Sequence, residues 1–206
     1  MTPYRQVSLS VLTTTFVGTT GTDPLGVDRD VPVDASGLPY VPRARMSARF
    51  RDAALSVGQA FPDLMPQLLD LFGVAGATGR NRMLSIGRAE LPLVVRAAVA
   101  DTVGAGPSPA AVTGACTVVR TTTAVDGDGA PVDGSLRTAR GLAPGLRLLA
   151  DLVWLREPEE AHLWALASCC LAFDQIGADE SRGSGRVRCR LVPDHTVDLA
   201  TAVVVR

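Results

Sequence analysis

Residues 4–17 alternate apolar and polar side chains, with Val7, Leu9 and Val11 set against Gln6, Ser8 and Ser10. A period of two is the mark of a half-buried strand. Over residues 43–60 the period changes. Met46, Phe50, Ala53, Ala54 and Val57 recur at helical spacing after Pro42, which predicts a helix. A shorter helical piece at 62–72 ends at Gly73, and residues 83–91 read as a second strand. Residues 113–125 predict a strand that runs through the acidic tip 126–134 into SLRTAR, forming a long hairpin. Residues 145–155 are almost wholly apolar, which predicts a central strand covered on both faces. Residues 157–172 predict a helix with acidic residues in its first turn. The last strand, 185–192, points Val187, Cys189 and Leu191 one way and Arg186, Arg188 and Arg190 the other.

Residues 18–38, 101–112 and 174–184 are rich in glycine, proline and aspartate and read as loops, with His195 in a tail. The order of elements predicts an α+β, ferredoxin-like (RRM-like) βαββαβ core. It carries a long loop after strand one and a β-hairpin inserted in the middle. A length of 206 residues suits a single domain spanning 1–206.

Composition narrows the chemistry. With 47% hydrophobic and 20% charged residues the chain is ordinary for a globular protein. No apolar run approaches the ~20 residues of a membrane span, and the first residues lack a signal-peptide pattern, so a cytoplasmic protein without a membrane partner is expected. Two histidines and four scattered cysteines without a C-x-x-C pair make a zinc site or a Ser-His-Asp triad a poor fit. Cys169 and Cys170 lie in an apolar run and read as small buried side chains. No Walker A or dinucleotide fingerprint is present. The net charge is −1, yet all 20 basic residues are arginine, the planar forked donor suited to phosphate.

Those arginines cluster. Arg43, Arg45, Arg49 and Arg51 crowd the start of the predicted helix, where they disfavour an isolated helix but suit a bound phosphate. The plainer reading is a solvated helix face with Asp52 as partner. Arg182, Arg186, Arg188 and Arg190 crowd the last loop and strand, with Gly183 and Gly185 allowing close backbone approach. Like charges on one strand face need compensation, either from a polyanion or from acids on a neighbouring strand. Asp23, Asp28, Asp30 and Asp34 crowd the first loop. Each is explained as a turn former or as a carboxylate poised near a phosphodiester.

Four segments resemble the RAMP (repeat-associated mysterious protein) superfamily, in particular the small backbone subunits of type III CRISPR–Cas effector complexes. LPYVPRARMSARFR at 38–51 is similar to the family's L-P-Y-I-P-G-S-S-L-K-G-x-x-R, with Arg43, Ala44, Arg45 and Ser47 in place of glycine, two serines and lysine, and Arg51 kept. LFGVAG at 71–76 resembles its L-F-G turn. The hairpin 120–137, leading into APGLRLLADL, resembles its thumb. GADESRGSGRVR at 177–188 resembles its glycine-rich loop, whose core here is 177–186. LGVDRDVPVD at 25–34 is similar to the loop, here 18–38, that carries the cutting aspartate in catalytic members.

The resemblance implies a subunit that lines a guide RNA together with copies of itself and other effector subunits. It implies guide contacts from Arg43, Arg45, Ser47, Arg49, Arg51, Arg120, Arg182, Gly183, Gly185, Arg186 and Arg188. It implies a thumb wedge at Val125 or Val132. Asp28 would cleave guide-paired single-stranded target RNA with a loosely held divalent cation, such as magnesium, and no built metal site; Asp30 is the rival position. A non-catalytic structural subunit, a guide-processing endonuclease and a ferredoxin-like protein unrelated to RNA are the alternatives.

Overall fold

The computed structural model describes residues 4–20, 27–73, 82–102, 107–124 and 126–204. Strand β1 (Gln6–Val11) is followed by two short strands, β2 (Thr19–Thr20) and β3 (Arg29–Asp30), and then by helix α1 (Arg43–Ala60). A 3-10 turn and α2 (Met65–Phe72) lead to β4 (Leu84–Glu90). Helices α3 (Leu93–Thr102) and α4 (Pro109–Cys116) and strands β5 (Thr117–Thr122) and β6 (Arg137–Leu142) precede β7 (Arg147–Trp154). Then come α5 (Glu160–Ala172), β8 (Val187–Val192) and α6 (Thr196–Val204).

Strands β4, β7, β1 and β8 form one sheet in that order, all pairs antiparallel. With α1 after β1 and α5 after β7, this is the expected ferredoxin-like βαββαβ core. The helices cover one face. Val7, Leu9, Leu148, Ala150 and Cys189 point into them at 0% exposure. The ring of Phe50 stacks on Phe72 at 5.8 Å and meets Phe173 edge-on at 5.1 Å, which locks α1 to α2 and to the end of α5. α5 is buried from His162 to Cys170 because α1, α2, α6 and β8 surround it. A helix buried on every side needs no polar stripe.

The structure corrects three expectations. β7 is central, but only one of its faces is covered: Leu148, Ala150 and Leu152 are buried while Asp151 and Val153 are exposed. Leucine and valine on its outer face imitate a doubly covered strand. Residues 109–116 form α4 instead of loop and strand, capped by Ser108 Oγ accepting from Ala111 N–H at 3.3 Å; β5 starts only at Thr117. His195 is no tail residue. It opens α6, accepting Leu199 N–H on its carbonyl at 3.0 Å, and its Nδ1 lies 2.8 Å from the Tyr4 hydroxyl. Among the described residues no helix is long and apolar enough to cross a membrane.

The second sheet, in the order β2-β3-β6-β5, stands beyond the C-terminal end of β1. β5 and β6 form the expected hairpin, from Thr117 opposite Leu142 to Thr122 opposite Arg137. β3 joins β6 in parallel at Arg29 and Ala139, so the loop after strand one is pinned to the hairpin base.

Candidate nucleic-acid interface

The first loop reaches the hairpin through Asp28. Its N–H donates to the Thr138 carbonyl at 2.9 Å, and its Oδ2 accepts from Thr138 N–H at 2.7 Å. Two residues on, Asp30 takes Arg140 Nη1 on both carboxylate oxygens, at 3.2 and 2.9 Å, and also accepts Val31 N–H at 2.7 Å. Asp34 turns the chain by accepting Ser36 and Leu38 N–H at 2.9 and 3.0 Å. The three carboxylates therefore separate by role. Asp30 and Asp34 are occupied in holding the loop, and Asp28 is exposed beside the hairpin base.

The loop at 177–185 closes on the same place. Ala178 N–H donates to the Phe16 carbonyl at 3.0 Å, and Gly185 N–H to the Thr14 carbonyl at 3.0 Å. Gly185 has φ +80°, and a Cβ there would stand 2.5 Å from the Ile176 carbonyl oxygen. It is buried and packs the loop onto its own strand. Gly183, at φ +75° with nothing within 4 Å of a Cβ, is the open position of the pair. Asp179, also left-handed at φ 60°, faces Arg29 at 3.9 Å.

Between loop, hairpin base and 177–185 lies a cleft of about 790 Å³. Asp28 and Asp179 line it with Arg29, Arg120, Arg137 and Arg182, over a floor that includes Phe16 and Ser184. The Arg120 guanidinium lies 5.7 Å over the Phe16 ring and donates to Ser184 Oγ at 3.3 Å, which fixes its plane at the rim. Four guanidinium groups share the cleft with two exposed carboxylates, Asp28 and Asp179; with Asp179 facing Arg29, the arginines can take phosphate oxygens on both sides of a hydroxyl held by Asp28.

Of the predicted contacts, the cleft unites Asp28, Arg120 and Arg182. Arg45 and Arg49 do not line it: Arg45 donates to the Gly18 carbonyl at 3.0 Å, and Arg49 pairs with Glu180 and, at 3.5 Å, with Asp52. Arg43 donates to Ser85 Oγ at 2.8 Å, Ser47 is half-buried on α1, and Arg51 is exposed. Arg186 and Arg188 do not line the cleft and lie on the uncovered side of β8. Val132 is 44% exposed near the hairpin tip; Val125 lies outside the described residues, as does Asp23. Sequence reasoning missed Arg29, Arg137, Asp179 and Ser184. Their signal was slight, no more than adjacency to Asp28, to the hairpin end and to Gly183.

Both histidines are remote. His195 contacts Tyr4, ahead of β1, while Phe16, past its other end, floors the cleft. His162 sits in the capping box that starts α5. Burial, and then the Asp198 charge, push the Tyr4 hydroxyl above its usual range. Among the described residues no group of three metal-binding side chains occurs.

No family profile and no curated protein matches the chain. Solved structures do. A chain of the cryo-EM structure of the type III-B Cmr-β bound to cognate target RNA is similar at a TM-score of 0.68 and 12% identity, over 96% of this chain and 100% of that one. A chain of the apo-state Cmr-β structure is similar at a TM-score of 0.69 and 13% identity, over 93% and 99%. The likeness shows the fold.

Proposed function

We propose that the protein is a guide-RNA-binding backbone subunit of a type III CRISPR ribonucleoprotein, and that it cleaves guide-paired target RNA at Asp28. The observation that carries this reading is the cleft, where an exposed carboxylate is fixed by Thr138 N–H among Arg29, Arg120, Arg137 and Arg182. It is supported by the fold shared with a chain of an assembly bound to cognate target RNA. It is also supported by the thumb-like hairpin rising directly from the cleft wall.

The arginines bind and orient the phosphates on either side of the scissile bond. Asp28 accepts the proton of the adjacent 2′-hydroxyl, whose oxygen bonds to phosphorus as the bond to the next nucleotide's 5′-oxygen breaks; that oxygen takes a proton from water and a 2′,3′-cyclic phosphate remains, while the backbone lock to β6 sets the direction of the outer Asp28 oxygen. One or two carboxylates suit a hydrated magnesium ion, which keeps several of its waters beside a substrate phosphate. Such an ion would rest on Asp28 and lower the charge of the phosphate. Asp30, held by Arg140, is the loop anchor in this reading.

The test is the complex purified through a tag on this chain, with wild type, Asp28→Asn and Asp30→Asn compared. Asp28→Asn keeps target binding and loses at least about 10²-fold in cleavage. An Asp28→Asn complex that assembles and cuts at the normal rate leaves the purely structural subunit as the answer. For the chain alone, light scattering with single-stranded RNA over a salt series should show a strongly salt-sensitive, length-dependent oligomer.

A further inference from the structure

The face of the main sheet that the helices leave uncovered carries its own arrangement of charge. Ser10 in β1 is directly opposite Arg147 in β7 on one side and Arg188 in β8 on the other. The three side chains share the uncovered face, and both arginines are exposed. Strands lie ~4.8 Å apart, so the two Cα atoms are roughly 10 Å apart, with a short hydroxyl between them. Arg186, the exposed residue just before β8, stands two residues from Arg188, ~7 Å along the chain direction.

Such a row is self-repelling unless something negative compensates it. The neighbouring strand supplies no acid, because Arg188 and Arg190 face Ser10 and Ser8. Of the acids near the row, Glu90 is held by Arg88 and Arg96 and Asp194 faces Arg190 at 4.0 Å; Asp151, which accepts from Gln6 Nε2 at 2.8 Å, and Asp174, whose carbonyl accepts Val187 N–H at 2.8 Å, form no ion pair with its arginines. Among the described residues Arg147, Arg186 and Arg188 have no carboxylate partner. The row also has a direction. Arg186 follows Ser184 and Gly185, and Ser184 lines the cleft beside Arg120 and Arg182.

We infer that Arg186, Arg188, Ser10 and Arg147 form a second phosphate-binding track on the open sheet face, along which a single-stranded RNA leaving the cleft continues. The inference rests on the nucleic-acid reading of the cleft and extends it to a surface outside it. Guanidinium groups bind phosphate in bidentate fashion, and the Ser10 hydroxyl donates to a phosphate oxygen between them. Without an aromatic side chain in the row, the track grips the backbone and does not read bases.

The full-length chain is tested as Arg147→Glu/Arg188→Glu beside Arg120→Glu/Arg182→Glu. Fluorescence anisotropy follows oligouridylates of increasing length across a salt series, and melting curves confirm that each variant folds. The sheet-face variant should weaken long oligouridylates by roughly tenfold or more and flatten the logarithmic salt slope by ~1.4, about 0.7 for each lost phosphate. Oligomers short enough for the cleft alone should bind it like wild type. Unchanged affinity and slope for the long RNA, with loss only in the cleft variant, overturns the track and spares the cleft. Wild type that binds no oligouridylate at low salt overturns both. Intact RNA binding with loss of another subunit on co-purification makes this face a protein contact and also overturns the track.

Discussion

The helix-backed sheet and the hairpin sheet hold their strands by opposite means. In the first, every strand sends a row of apolar side chains into the helices, and Val7, Leu9, Leu148 and Cys189 are fully buried. In the second, β5 has no buried position, and Val118 and Val119 stand 38% and 51% exposed. Its strands are held by their backbone ladder and by polar ties: Asp28 to Thr138, Asp30 to Arg140, Arg120 to Ser184. Stability comes mainly from apolar burial, whereas polar ties at a half-open surface contribute little each. The charged groups of the cleft are exposed or half-buried and take no part in the apolar core, so recognition and stability are separable here.

The contrast is broken most sharply at Phe50. Phe50→Ala removes a ring that meets both Phe72 and Phe173. It should cost about 3–5 kcal/mol in denaturant unfolding; a loss below about 1 kcal/mol would mean that the core is not where the helix-backed sheet places it. Arg140→Leu comes next. It strips Asp30 of its half-buried partner and should cost about 1–2 kcal/mol. Amide exchange at Asp28 and Thr138 should quicken with it, and unchanged protection there would show that β3 holds without the ion pair.

pH sharpens the comparison further. Burial pushes the Cys169 and Cys170 thiols well above their ordinary value of 9.0. In the unfolded chain they ionise near that value, while in the folded chain they stay neutral. Their contribution to stability is therefore complete below about pH 9 and is lost as pH rises above it. Melting temperature should hold to about pH 8 and fall above 9, less steeply in Cys170→Ala. A decline that Cys170→Ala leaves unaltered would assign it to other groups. At the small end, Asp126→Ala deletes an exposed turn at the hairpin tip, where the carboxylate accepts Asp128 and Ala130 N–H. Its effect should stay within about 0.5 kcal/mol, and a larger shift in the denaturation midpoint would show the tip to be more than a solvated turn.

The core was legible because burial imposes a period on the chain. The alternation in β1 and β8 and the helical spacing of α1 mark which faces meet. The pattern misled at β7, where Leu149 and Val153 stand on the uncovered side, and at α4, whose alanines and glycine carry no period. The site was legible only in part. Asp28, Arg120 and Arg182 were named from their segments, and all three line the cleft. Arg29, Arg137 and Asp179 were not, since a lone polar residue in a loop says nothing about what it faces.

By itself the sequence determined the ferredoxin-like core, the hairpin insertion and the surplus of arginine on short segments. These follow from side-chain period, turn residues and composition, all local properties of the chain. The tertiary structure alone decided which charges meet. It spent Asp30 on Arg140 and Arg49 on Glu180, left Asp28 facing a cleft, and laid Arg147 and Arg188 on either side of Ser10. Pairing between charges far apart in sequence is set by sheet register and loop closure, and neither is written in any one segment.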